Sequence, residues 1–262
     1  MTDPARHSGR GPFRADQLRD GDRYELSNGH PIYCVPAGWK HGSGSTTGGL
    51  VLDSDPDVQW TGADVGVSPE AGTLRAPDVV VRTTPPSGDS TWLTEAPPLA
   101  VEYAGPGQDQ RDLKDKIAEL LAAGTQQVWV VRLVGPQRVE VHRPNQPMQI
   151  YAASDVLEFP GVLRNPVPVR ALFDRDAAHE VVLRNLLQRR GYANLEDVRE
   201  EGREEGREEG IVDAILTLLR GRGLMVDVAV EERLRACHDR ATLQGWLLNA
   251  ARVEQAERIF EN

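Results

Sequence analysis

The chain has 262 residues, 39% of them hydrophobic and 27% charged, with a formal net charge of −10. That composition suits one sizeable core with a smaller appendage and excludes wholesale disorder, and no apolar run approaches the roughly 18 residues that would span a bilayer. The acidic balance excludes a generic nucleic-acid coat, since phosphate contacts need a basic surface, yet it leaves room for a locally basic groove around a cluster of carboxylates.

The N-terminal MTDPARHSGRGPFR lacks the apolar stretch of a signal peptide, so residues 1–19 are expected to be flexible and the protein cytoplasmic. Residues 22–36 read as a hairpin around Asn28-Gly29, two residues that tolerate the positive φ of a tight turn. The Gly-, Ser- and Pro-rich stretch 37–77 is expected to be loop with brief strands. GSGSTTGG at 42–49 has no following Lys-Ser or Lys-Thr and is not a phosphate-binding P-loop. PDVVVR (77–82) and LAVEYA (99–104) are short apolar runs bounded by turn residues and read as buried strands.

Between Asp109 and Gly124 the period changes: Leu113, Ile117, Leu120 and Leu121 share a helical face, and Gly124 ends it. VWVVRLV (128–134) and RVEVHRP (138–144) give two further strands, so the order implies a mixed sheet with a helix packed on it, an α/β (α+β) fold. After about Asp174 the chain turns helical and charged. REEGREEGREEG at 199–210 is a marginal helix, in which Glu–Arg pairs at i, i+3 help and each glycine costs about 1 kcal/mol against alanine. The expected division is a sheet domain at 20–174, a charged helical linker at 175–210 and a small helical bundle at 211–262. Cys34 and Cys237 lie far apart and outside any C-x-x-C spacing, which supports neither a disulfide framework nor a zinc site.

Asp78 and Glu102 each sit on an apolar strand, where an acid is costly to bury unless it is paired or metal-bound. Two such carboxylates suffice for a magnesium ion that keeps waters and substrate phosphate as its other ligands. Lys116, on the helix after the Glu102 strand, is the candidate to orient a water and offset charge. Lys114 points roughly 200° away around the helix axis and cannot face the same site. The residues alone leave open a plain alternative: a strand-end acid, a paired core acid and a solvated lysine.

The run from Ala96 to Val131, APPLAVEYAGPGQDQRDLKDKIAELLAAGTQQVWVV, resembles the signature of the Uma-two family of restriction-endonuclease-like proteins in the PD-(D/E)XK superfamily. Glu102, Pro106, Asp112 and Lys116 match the family spacing, and YELSNG, His41, PDVVV and LEFPGVLRNPVPVRALF (157–173) extend the likeness over most of 20–174. The resemblance implies a divalent-metal-dependent endonuclease with a restriction-endonuclease-like mixed sheet, Mg2+ or Mn2+ as cofactor and nucleic acid, foremost DNA, as partner. Asp78 and Glu102 resemble its metal-binding acids, the Tyr103 carbonyl a third ligand, and Glu25 an early acid near the metal or else a strand-end salt bridge. Lys116 resembles the catalytic lysine, with Ala104 in that lysine's usual place. Asp112 holds Lys116 or the loop, or is a helix-start acid favoured by the dipole; His41 touches substrate or is a hydrogen-bonded loop residue. Gly105, Gly107 and Gln108 replace the family's small hydroxyl residues. RGLMVDVAV and LQGWLLNAA resemble the C-terminal region of recombination-promoting, transposase-like nucleases, implying self-association through C-terminal helices with Trp246 and Leu247 in their core. The alternative from another class is a nuclease fold without catalysis, kept for binding or oligomerisation.

Overall fold

The computed structural model describes residues 11–105 and 110–261, in two units that divide between Gly191 and Tyr192. Within the first unit, β1 (Tyr24–Ser27) and β2 (His30–Tyr33) form the hairpin, with Asn28 at φ 49° and Gly29 at φ 76°, the conformation that suits a two-residue turn. Residues 11–19 are not simply loose, as the sequence suggested. Ala15 and Leu18 are buried against Leu26 and Leu74 beneath this hairpin, because a short apolar cluster there gains by excluding water.

A six-stranded sheet follows in the order β3 (Trp60–Gly62), β4 (Val79–Arg82), β5 (Leu99–Ala104), β6 (Gln127–Arg132), β7 (Arg138–His142), β8 (Gln149–Ala152). Only β5 and β6 pair in parallel, and α2 (Gln110–Ala122) supplies the crossover that a parallel pair requires. The alternation of each strand sorts its residues between two cores. Val79, Val81, Val101, Tyr103, Trp129 and Val131 face one layer, whereas Val80, Ala100, Ala104, Val128 and Val130 face α2 through Leu113, Ile117 and Leu120. Every residue of β5 is buried, which explains its nearly unbroken apolar run and makes Glu102 its exception.

The stretch expected to be loop instead contains α1 (Trp39–Asp53), and GSGSTTGG lies inside it. Its glycines weaken a helix in isolation but let this one approach the sheet closely. A Cβ on Gly44 would stand 2.8 Å from the Tyr103 ring, and one on Gly48 would collide with the Tyr103 hydroxyl.

The boundary expected near 175 also shifts. In α3 (Arg175–Arg189), which Asp174 caps by accepting the Ala177 N–H, Ala177, Ala178 and Val181 join the first unit's core. Arg189 closes the C-terminal end of α1, its Nε donating to the Ser54 carbonyl at 2.9 Å and its Nη2 to those of Asp53, Asp55 and Val58 at 2.6–2.8 Å. Residues 175–189 are therefore part of the sheet unit and not a linker. The remaining short pair, β9 (Val156–Leu157) and β10 (Val167–Pro168), brings Leu157 and Val167 into the same core.

The second unit opens with α4 (Leu195–Gly221), started by Asn194 accepting the N–H groups of Glu196 and Asp197. One continuous helix thus crosses the boundary expected at 210–211. Its REEG half is solvated, while Val212, Ile215, Leu216 and Leu219 pack with α5 (Val228–Arg235) and α6 (Arg240–Ala250). Trp246 and Leu247 lie against this core, Trp246 edge-on to Phe260 with centroids 4.8 Å apart. Among the described residues no helix is long and apolar enough to cross a membrane.

Candidate active site

The antiparallel pairing of β4 with β5 ends at Val79 opposite Val101. One further step in that register sets Asp78 opposite Glu102, in positions whose Cβ atoms lie about 5 Å apart in a regular ladder. The ladder stops because the Asp78 side chain takes over: its Oδ2 accepts the Tyr103 N–H at 2.5 Å. From α1, His41 Nε2 meets the other oxygen, Oδ1, at 2.8 Å. Glu102, 1% exposed, projects to the α2 side of the sheet, the side opposite its neighbours Val101 and Tyr103.

Lys116 comes from α2 to meet it. Its buried Nζ lies 2.8 Å from Glu102 Oε1, 3.0 Å from Glu25 Oε1 and 2.8 Å from the Ala76 carbonyl, two residues before Asp78. Glu25, on β1, accepts Arg75 Nη1 through its other oxygen at 3.1 Å. Arg75 also donates to Asp112 at 3.2 Å and Glu119 at 2.5 Å, and Ser27 donates to Glu119. Lys114 is exposed, so of the two lysines only Lys116 faces the site.

These contacts set the charges. Burial pushes the Glu102 carboxyl up to about 8, with the Lys116 ammonium opposing that rise and the Asp78 and Glu25 carboxylates adding to it. Burial works against the Lys116 charge too, but Glu102, Glu25 and Asp78 outweigh it and raise its pKa, keeping the ammonium protonated. His41 is raised chiefly by its hydrogen bond to Asp78. Asp64, at φ 53°, is raised by burial and then by the nearby Asp78 charge. The site is thus a buried acidic cluster around one ammonium.

The family model Uma2, described as "Putative restriction endonuclease", matches residues 13–172. The chain belongs to the Uma2 family. A solved structure titled as "a putative nuclease belonging to DUF820" from Anabaena variabilis is 19% identical; the alignment covers 62% of this chain and 95% of that one, with a TM-score of 0.54. At that identity the likeness speaks for fold, and the fold is restriction-endonuclease-like: a mixed sheet flanked by helices. No functionally curated protein matches the chain. The Uma2 match ends at Leu172, just before α3.

In this Uma2 protein Asp78, Glu102, Lys116, Glu25, His41 and the Tyr103 backbone come together. Asp112 does not hold Lys116; its carboxylate accepts from Arg75. Glu25 engages both oxygens with cations, Lys116 and Arg75, as the salt-bridge reading of this residue expects. Pro106 of the family pattern and the departures Gly107 and Gln108 lie outside the described residues, as does Asp109, the expected helix start. Sequence reasoning missed Arg75, Glu119 and Asp64. The one available signal was the spacing of Asp112, Lys116 and Glu119 at i, i+4, i+7, which sets three charged groups on one face of α2.

Among the described residues no three His, Cys, Asp or Glu side chains are grouped to enclose a metal. A hard cation of the magnesium type does not require that, because one or two carboxylates with water and phosphate complete its shell. The chemistry of the donors supplies the test: two carboxylates, hard oxygen ligands, stand opposite one another where the β4–β5 ladder ends, with Lys116 Nζ 2.8 Å from Glu102 Oε1 as its ion-pair partner. The residues present fit a divalent ion held by Asp78 and Glu102.

Proposed function

We propose that the first unit is a divalent-metal-dependent endonuclease that hydrolyses phosphodiester bonds of DNA, using Mg2+ or Mn2+. The observation that carries the proposal is the delivery of Lys116, from a helix, to Glu102 beside Asp78. Asp78 and Glu102 would hold the ion, with the Tyr103 carbonyl at the same strand end as a third oxygen. When bound, the ion supplies Lewis acidity towards the phosphate and lowers the pKa of a nearby water. Lys116 orients the attacking water and offsets the charge that builds on the phosphate oxygens. Asp78 is itself fixed on two sides, by the Tyr103 N–H and by His41, which would orient its carboxylate for an ion.

With magnesium, the full chain is expected to nick supercoiled plasmid DNA, and Glu102→Gln or Lys116→Ala should lower the rate by at least about a hundredfold, as lost transition-state stabilisation does. Equal rates in wild type and variants would trace the activity to a contaminant and leave the fold as a binding or oligomerisation scaffold. For the second unit we propose self-association through its helices, supported by the exposed apolar side chains of Leu195, Val198, Val228 and Leu248 on them.

A further inference from the structure

Arg75 is, among the described residues, the largest charged side chain that is fully buried, at 1% exposed, and its three ion pairs are with acids other than Asp78 and Glu102. Its three partners come from two separate elements: Glu25 from β1, Asp112 and Glu119 from α2. The two acids of α2 stand one turn to either side of Lys116, and all three share a helical face. Glu25 is the residue that Arg75 and Lys116 hold in common, one on each oxygen.

We infer that Arg75 is a positioning residue for Lys116, fixing the rotation of α2 through Asp112 and Glu119 and fixing the Lys116 amine through Glu25. This rests on the nuclease reading for its consequence in catalysis, but the geometry stands by itself. A planar guanidinium suits the task, because its donors lie in a rigid fork and serve three carboxylates from fixed directions, whereas an ammonium on a flexible stem does not. A stabilising role alone explains Arg75 poorly. Its Nη2 is buried without a hydrogen-bond partner, and buried ionic networks commonly contribute no more stability than apolar residues of similar volume. The network leaves the amine 2.8 Å from Glu102 although the lysine is not at the usual position on β5, where Ala104 stands.

The test uses Arg75→Lys, which keeps the charge, and Glu119→Gln, which loosens the helix contact while leaving the Arg75–Glu25 pair. Two readouts are taken on the full chain: steady-state plasmid cleavage with magnesium, and acylation of Lys116 by an amine reagent, mapped by mass spectrometry. In wild type Lys116 should resist acylation. Both variants should label at Lys116 at least about fivefold faster, with native circular dichroism, and should lose at least about tenfold in kcat with KM changed less than about threefold. Wild-type kcat and an unlabelled Lys116 in a folded Arg75→Lys would overturn the inference; if that variant does not fold, the same result in Glu119→Gln overturns it. Wild type without metal-dependent cleavage would instead defeat the nuclease reading, and the acylation result would still decide the role of Arg75.

Discussion

Burial makes a carboxyl group bind a proton more readily than it does in water, and Glu102 is pushed up to about 8 in this way, with the Lys116 ammonium opposing the rise and the Asp78 and Glu25 carboxylates adding to it. Its folded pKa lies above its unfolded value of 4.5, so its contribution to stability is fully present below pH 4.5 and is lost as the pH rises towards 8. Thermal unfolding of the metal-free protein should therefore show a fall in Tm across that window which Glu102→Gln lacks; parallel profiles would refute the assignment. The residues alone left Asp78, Glu102 and Lys116 open to a plain reading as strand-end acid, core acid and solvated lysine; the spacing shared with the family singled them out, and the structure brings the three into one charged cluster. Arg75 was not legible, since its partners lie 50, 37 and 44 residues away and long-range ion pairs leave no local pattern. Glu25 was legible as an acid of the site, but its engagement by two cations depends on that same unseen arginine.

At the scale of elements, β4 to β7 and α2 follow from their apolar patterning and the turn at Asn28-Gly29 from its residues, whereas the short β8, β9 and β10 carry too few residues for a pattern to show. The first helix does not follow, because its glycines are chosen for contact with Tyr103 and lower the very propensity by which a helix is recognised. The same residue type at Gly202 has nothing within 4 Å. Gly48→Ala should therefore destabilise the first unit by about 1–3 kcal/mol through overpacking, whereas Gly202→Ala should stabilise α4 by about 1 kcal/mol. Urea unfolding of the two variants checks both signs, and equal effects would show that α1 does not press on Tyr103 as described. The steric contrast also explains why glycine content alone misled: one set of glycines sits under a ring, the other faces water.

For the whole molecule, the division after Gly191 makes a specific claim about what folds together. A chain ending at Gly191 keeps α3 and the Arg189 cap on α1, and should retain a native first unit. One ending at Asp174 removes Ala177, Ala178 and Val181 from the core and should unfold or aggregate. Light scattering on the full chain and on the Gly191 truncation tests the proposed self-association as well: the shorter chain should be monomeric, and an unchanged mass would reject a role for the C-terminal helices. The net charge of −10 adds a constraint on partners, since a polyanion approaches an acidic pocket only where a cation offsets both. If Asp78 and Glu102 share one divalent ion beside Lys116, anomalous diffraction from crystals grown with manganese and a DNA oligonucleotide should show a single strong peak between the two carboxylates with the Lys116 amine on its flank; a peak elsewhere, or none at saturating manganese, would rule out a shared ion.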